Sequence, residues 1–209
     1  MNVNLIILLL AIVVCLTWFH TVVPKLIFLV PLLNVIPGAS TMKFLTAFSF
    51  IMVAVMFSII KRDRHSVFAA MLCYALLITH SGWLLVPVDF LFLFSEQDIV
   101  VYTSTPGKPS PITALSFIFI AIFGISWSYS SPKFLQCVPI TGVGLISLVA
   151  FTGYILGIPE FYFNMNGDGS GMAIHTAGLF FLCVIEMSRI VSRGESNHGN
   201  HINPLHLRG

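Results

Sequence analysis

The stretch Gly171–Phe181, GMAIHTAGLFF, opens on a histidine and a threonine side by side and then turns wholly apolar. Its centre, Thr176-Ala177-Gly178-Leu179-Phe180, aligns with Thr46-Ala47-Phe48-Ser49-Phe50 and with Thr113-Ala114-Leu115-Ser116-Phe117. Four residues before each threonine stand Met42, Pro109 and Met172. Pro37-Gly38 and Pro106-Gly107 lie upstream of the first two copies, and Gly167-Asp168-Gly169 takes that place in the third. A second set of marks repeats ahead of each copy: Thr17-Trp18 then Pro24, Gly82-Trp83 then Pro87, and Gly153-Tyr154 then Pro159. The threonines are 67 and 63 residues apart and the Trp/Trp/Tyr marks 65 and 71. One period shared by marks at two separate places identifies an internal repeat.

The composition says what is repeated. Hydrophobic residues make up 57% of the 209-residue chain and charged residues 9%, against roughly 25% charge in soluble domains. Such a chain has too little charge to cover a water-facing surface, so an all-α integral membrane protein is expected. Apolar stretches near 5–23, 44–60, 67–86, 112–129, 135–158 and 172–191 approach the roughly 20 residues that cross a bilayer. Each is expected to be a helix, because backbone polar groups find no water there. The repeats are then three hairpins, about 5–60, 67–129 and 135–191, in a membrane domain of residues 1–193 followed by a flexible cytoplasmic tail, 194–209. An even number of spans per copy gives every copy the same orientation. That predicts a pseudo-threefold axis along the membrane normal.

Seven of the ten basic residues (Lys61, Arg62, Arg64, Lys133, Arg189, Arg193, Arg208) fall on one side, and five of the eight acids (Asp89, Glu96, Asp98, Glu160, Asp168) on the other. By the positive-inside rule both termini are expected to be cytoplasmic. The first span lacks a basic leader and a small-x-small cleavage site, and reads as a retained helix. Lys25–Asn34 is too short to span and is expected to lie along the outer surface. The loop from Phe90 to Pro111 is expected to form an interfacial helix or a lid. The four cysteines all fall in spans, with no CxxC and nothing in favour of disulfides or zinc.

Polar residues inside spans are candidate functional residues by default. His175 lies about 5 Å below Met172 and His80 about 10 Å below Pro87, at 1.5 Å per residue; His20 is near its helix end. The histidines are not at equivalent repeat positions, which argues against a symmetric metal site. They leave open a plain hydrogen-bonding role, a ligand contact, proton sensing or haem ligation. The repeated threonines are either structural joints at helix starts or the lining of a small cavity on the axis. Glu186 is expected to pair with Arg189 at i,i+3 and to reach with it toward cytoplasmic water. His198, His201 and His206 are expected to belong to a solvated terminus. No phosphate loop, metalloprotease motif or nucleophile–base set is present, so no enzymatic activity is expected.

The final hairpin resembles that of the multi-span N-terminal sensor regions of bacterial histidine kinases and GGDEF diguanylate cyclases. Gly153, Tyr154, Gly157, Pro159 and Tyr162 match one part of the pattern, and Met172, Ala173, His175, Thr176, Ala177 and Phe180 the other. Phe48 and Gly178 depart from the leucine usual after Thr-Ala. In those proteins a PAS, kinase or GGDEF domain follows, whereas here the sequence ends at Gly209. The resemblance implies a sensor or regulatory module of the bacterial inner membrane. Its partners would be membrane lipid and a separate protein (a kinase, cyclase or other membrane subunit), with no nucleic acid. The resemblance carries over no ligand and leaves the cofactor unassigned; from the residues themselves, a small or lipid-like ligand is expected to enter from the outer side near Thr46, Thr113, Thr176, His80, His175, Trp83 and Tyr154, with no metal site. The alternatives are an assembly subunit of a larger membrane complex and a small haem- or quinone-binding redox protein.

Overall fold

A computed structural model describes residues 2–17, 42–63, 65–85, 109–162 and 171–200, with side chains at all of these except 83–85 and 195–200. The ends of the first and third spans, His20, the 25–34 segment, the 90–108 loop, Gly167-Asp168-Gly169 and the tail beyond Asn200 lie outside the described residues. The rest is helical throughout, in six α-helices: α1 Val3–Thr17, α2 Phe44–Ile60, α3 Val67–Leu85, α4 Pro111–Ser128, α5 Lys133–Leu156 and α6 Ile174–Asn200. Each of the six expected apolar stretches thus corresponds to a helix. Three of them, α4, α5 and α6 through Gly194, are long and apolar enough to cross a membrane; the described parts of α1, α2 and α3 are shorter and equally apolar.

The three repeats are visible in the packing. Helices α2, α4 and α6, the second helix of each copy, touch one another and form an inner triangle. Outside it, α1 lies against α2 and α6, α3 against α2 and α4, and α5 against α4 and α6. The inner α4 has 61% of its span buried, while the outer α5 has 28%. What α5 exposes is apolar, including Leu145, Leu148 and Ile155. An apolar core inside an equally apolar exterior suits hydrocarbon and is poorly suited to water.

The repeated motif starts the inner helices in one register. The amides of Ala47, Ala114 and Ala177 each donate to the carbonyl four residues back, on Lys43, Ser110 and Ala173. One turn on, Phe50, Phe117 and Phe180 meet on the axis. Each pair of ring centroids is 4.9 Å apart, with interplanar angles of 62°, 53° and 65°. All three rings are fully buried. Tilted and edge-on contacts at this spacing set the positive edge of one ring against the negative face of the next. The triad closes the axis immediately below the threonines. Further along, Val53, Ile120 and Cys183, then Phe57, Gly124 and Met187, and then Ile60, Trp127 and Ile190, are buried at equivalent positions. Counted from the threonine these steps follow the alternating four-and-three spacing of a coiled-coil seam.

The third hairpin closes on backbone geometry. Gly157 ends α5 in the left-handed region at φ 66°, a conformation that costs a residue with a Cβ. The chain then turns through a short 3-10 segment, Pro159–Phe161. A Cβ on Gly153 would lie 2.6 Å from Cβ of Phe161, so only glycine lets this turn fold back against α5.

Candidate functional site

The three threonines stand at one level of the bundle. Thr46, Thr113 and Thr176 are all buried, at the start of the inner helices and directly above the closed axis. At α4 the preceding Ser110 caps the helix: its Oγ accepts from the Thr113 amide at 3.2 Å and shares a 2.8 Å hydrogen bond with Thr113 Oγ1. Tyr154 is also held by its own hairpin. Its hydroxyl donates to the Met172 carbonyl at 2.6 Å, and its ring stacks on Tyr162 at 3.8 Å. The Met172 amide donates back to the Tyr162 carbonyl, so the two ends of the intervening loop are tied together. The Trp83 side chain lies outside the described residues.

The two histidines sit in different surroundings. His80, on α3, is fully buried among the inner helices. Its Nε2 is 2.9 Å from Ser49 Oγ of α2, and its ring stacks on Phe117 of α4 at 4.5 Å. His80 thus bolts an outer helix to the aromatic triad. Nδ1 has no hydrogen-bond partner among the described residues. Ser49→Ala, which leaves both ring nitrogens unpaired, is expected to destabilise the bundle by about 1–2 kcal/mol. Unfolding of the purified protein in mild detergent would measure this. The paired change His80→Phe/Ser49→Ala, which puts a ring at the position Phe151 holds in the next repeat, should recover most of that loss.

His175 has no such bolt. Neither ring nitrogen has a hydrogen-bond partner among the described residues, although both atoms are out of contact with solvent. The imidazole lines a cleft of about 300 Å³ at the seam where α6 meets α1. Leu10, Val13 and Val14 of α1 face Gly178, Leu179 and Leu182 of α6 across it. Apart from His175 the lining is aliphatic or glycine. His80 is not among the lining residues, so the two imidazoles do not face one cavity as bis-histidine haem ligation requires. Among the described residues no three His, Cys, Asp or Glu side chains cluster as metal ligands.

Toward the opposite end of the bundle the expected i,i+3 pair of Glu186 with Arg189 is present, but the expected reach of the carboxylate toward water is corrected. Glu186 does not reach water: its side chain is 3% exposed, and its near partner is the ammonium of Lys61, which follows α2. Arg189 approaches the other carboxylate oxygen at 3.7 Å with 49% of its side chain exposed. The reason is positional. Glu186 stands where Met56 and Phe123 stand in the other repeats, both buried on inner helices, so the carboxylate faces inward and needs a cation from a neighbouring helix.

Of the residues proposed from sequence, then, the structure separates an axial set (the threonines and His80), a loop staple (Tyr154) and a cleft residue (His175). Sequence reasoning missed the cleft's α1 wall, the Ser49–His80 bond and the Lys61–Glu186 pair. The repeat alignment held a signal for the first of these, in the positions where the third copy departs from the other two. Comparison with protein-family models, curated protein sequences and solved structures finds no match for the chain.

Proposed function

We propose that the chain is a multi-pass sensor or regulatory module of the bacterial inner membrane. All six helices would span, with both termini cytoplasmic. In this reading an outer-side or membrane signal passes to a partner protein that carries the output. The observation that carries it is the layout of α6. This one helix has near its start a cleft histidine with no hydrogen-bond partner among the described residues, and at its middle a buried carboxylate that meets Lys61 at the end of α2. His175 and Glu186 are eleven residues apart, about 16 Å along the helix. A ligand that favours one packing of α6 against α1 would also shift the Lys61–Glu186 contact, which is the differential interaction that such coupling requires. The resemblance of the last hairpin to kinase and cyclase sensor regions supports the same reading. So does the concentration of Lys61, Arg62, Lys133, Arg189 and Arg193 at one end.

The test is a mild-detergent pull-down of the full chain from its native membranes, with co-purifying proteins identified by mass spectrometry. A kinase, cyclase or response protein is the expected result. Recovery of the fixed, stoichiometric subunits of an energy-converting or secretion complex would overturn it. That outcome would favour an assembly subunit, a reading to which the burial of the three threonines and the close packing of the three phenylalanines also lend support.

A further inference from the structure

The three copies of the hairpin differ most tellingly on one face of their second helix. One residue before the threonine stand Leu45, Ile112 and His175; two residues after it stand Phe48, Leu115 and Gly178; three after it, Ser49, Ser116 and Leu179. In the first two copies the middle residue is a large side chain turned outward, with Phe48 45% and Leu115 39% exposed. The third copy removes that side chain, adds an imidazole one turn earlier and replaces the serine by leucine. All three departures line the same cleft. Divergence spread evenly over the repeats would not gather at one seam. The cleft is a place where the repeat has been opened and given one polar group.

We infer that this cleft binds a single-chain fatty acid taken from the surrounding hydrocarbon, its chain between α1 and α6 and its protonated carboxyl group hydrogen-bonded to His175. The aliphatic lining matches a methylene chain, and among the described residues the His175 imidazole is the one flat ring that lines it. The volume lies at the small end of the range of ligand pockets, about 300–1,000 Å³, enough for one chain and too little for a two-chain lipid. Leu10 and Val13 are 47% and 37% exposed, so the cleft is continuous with the apolar exterior and can be reached sideways. In its neutral form an imidazole offers one N–H donor and one acceptor nitrogen, and a protonated carboxyl group, with its carbonyl acceptor and O–H donor, can pair with whichever ring nitrogen faces the cleft without bringing an unpaired charge into apolar surroundings. The assignment names the ligand of the sensor reading and rests on that reading for its purpose. It is tested without any partner, so the two can fail separately.

The experiment uses the purified full chain in detergent and palmitic acid carrying a photoreactive diazirine on its chain, with labelled peptides mapped by mass spectrometry. Labelling is expected within 10–14 and 178–182, and unlabelled palmitic acid should displace it at least tenfold better than hexadecane. Gly178→Leu, which restores the kind of side chain the other copies carry, is expected to reduce labelling at least tenfold. Gly178→Ala should stay within threefold of the parent, since a Cβ there meets only Phe151, at 3.6 Å. His175→Leu should abolish the advantage of the acid over hexadecane while the chain still binds. If Gly178→Leu does not fold, the acid-versus-hexadecane comparison on the parent protein decides alone. Label spread over outward residues such as Leu145 and Ile155, equal displacement by hexadecane, or stronger displacement by a two-chain phospholipid or a quinone would each overturn the assignment.

Discussion

Phe117→Ala is expected to destabilise the bundle by about 3–5 kcal/mol, and Phe50→Ala and Phe180→Ala by similar amounts. Two contributions set the figure. Removing the ring leaves a void of roughly 100 Å³, which at about 24 cal/mol per Å³ costs some 2–3 kcal/mol. Each ring also loses two aromatic contacts, worth about 0.5–1.5 kcal/mol apiece beyond area burial. The usual transfer-from-water term is left out because an unfolded helix in lipid keeps its side chains in hydrocarbon. Phe117 should sit at the upper end, because it also stacks on His80 at 4.5 Å. The control is Phe48→Ala, one turn-face away in the same motif and 45% exposed, expected to change stability by less than about 1 kcal/mol. Reversible unfolding in mixed detergent would measure all four. A cost for Phe117→Ala no greater than for Phe48→Ala would mean that the rings only fill space beside an axis held by something else.

That prediction also shows what the sequence could and could not convey. Composition and repeat spacing made six helices in three pairs legible, because apolar stretches of this length are expected to be helices and each copy contributes two. The same alignment places a phenylalanine four residues after each threonine, but an apolar residue in an apolar stretch carries no mark that sets it apart, whereas a threonine does. The structure reverses the roles: the phenylalanines make the axis and the threonines stand buried above it. His80 and His175 could not be told apart from sequence. Whether an imidazole finds a serine hydroxyl depends on which side of α3 meets α2, and helix rotation is not written in an all-apolar pattern with a weak polar face. For Glu186 the sequence conveys only half of the site, for a related reason. An i,i+3 partner is visible in the sequence, whereas Lys61 comes from another helix 125 residues away.

Lys61→Met is expected to cost about 2–4 kcal/mol, somewhat less than the 3–5 kcal/mol typical of removing one partner from a buried ion pair. The discount follows from the geometry. Lys61 is itself 23% exposed, and Arg189 remains at 3.7 Å to share the Glu186 carboxylate, which is 3% exposed. Glu186→Gln should cost less, because the amide keeps the shape without the charge and Lys61 can turn toward water. Combining Lys61→Met with Glu186→Gln should therefore recover at least half of the single-variant loss, a coupling of about 1 kcal/mol or more as expected for residues in direct contact. Arg189→Ala, at an exposed position, should fall within about 0–1 kcal/mol. The ordering of the four variants is the test, read from the same unfolding measurement at neutral pH. The carboxylate is buried because its helix is an inner one, so its cation must come from outside that helix, and the loss must be larger for Lys61 than for Arg189. Equal losses at Lys61 and Arg189, or no recovery in the double variant, would mean that the carboxylate is satisfied within α6. The contact between α2 and α6 could not then relay a change in the α1–α6 cleft to the basic end of the bundle.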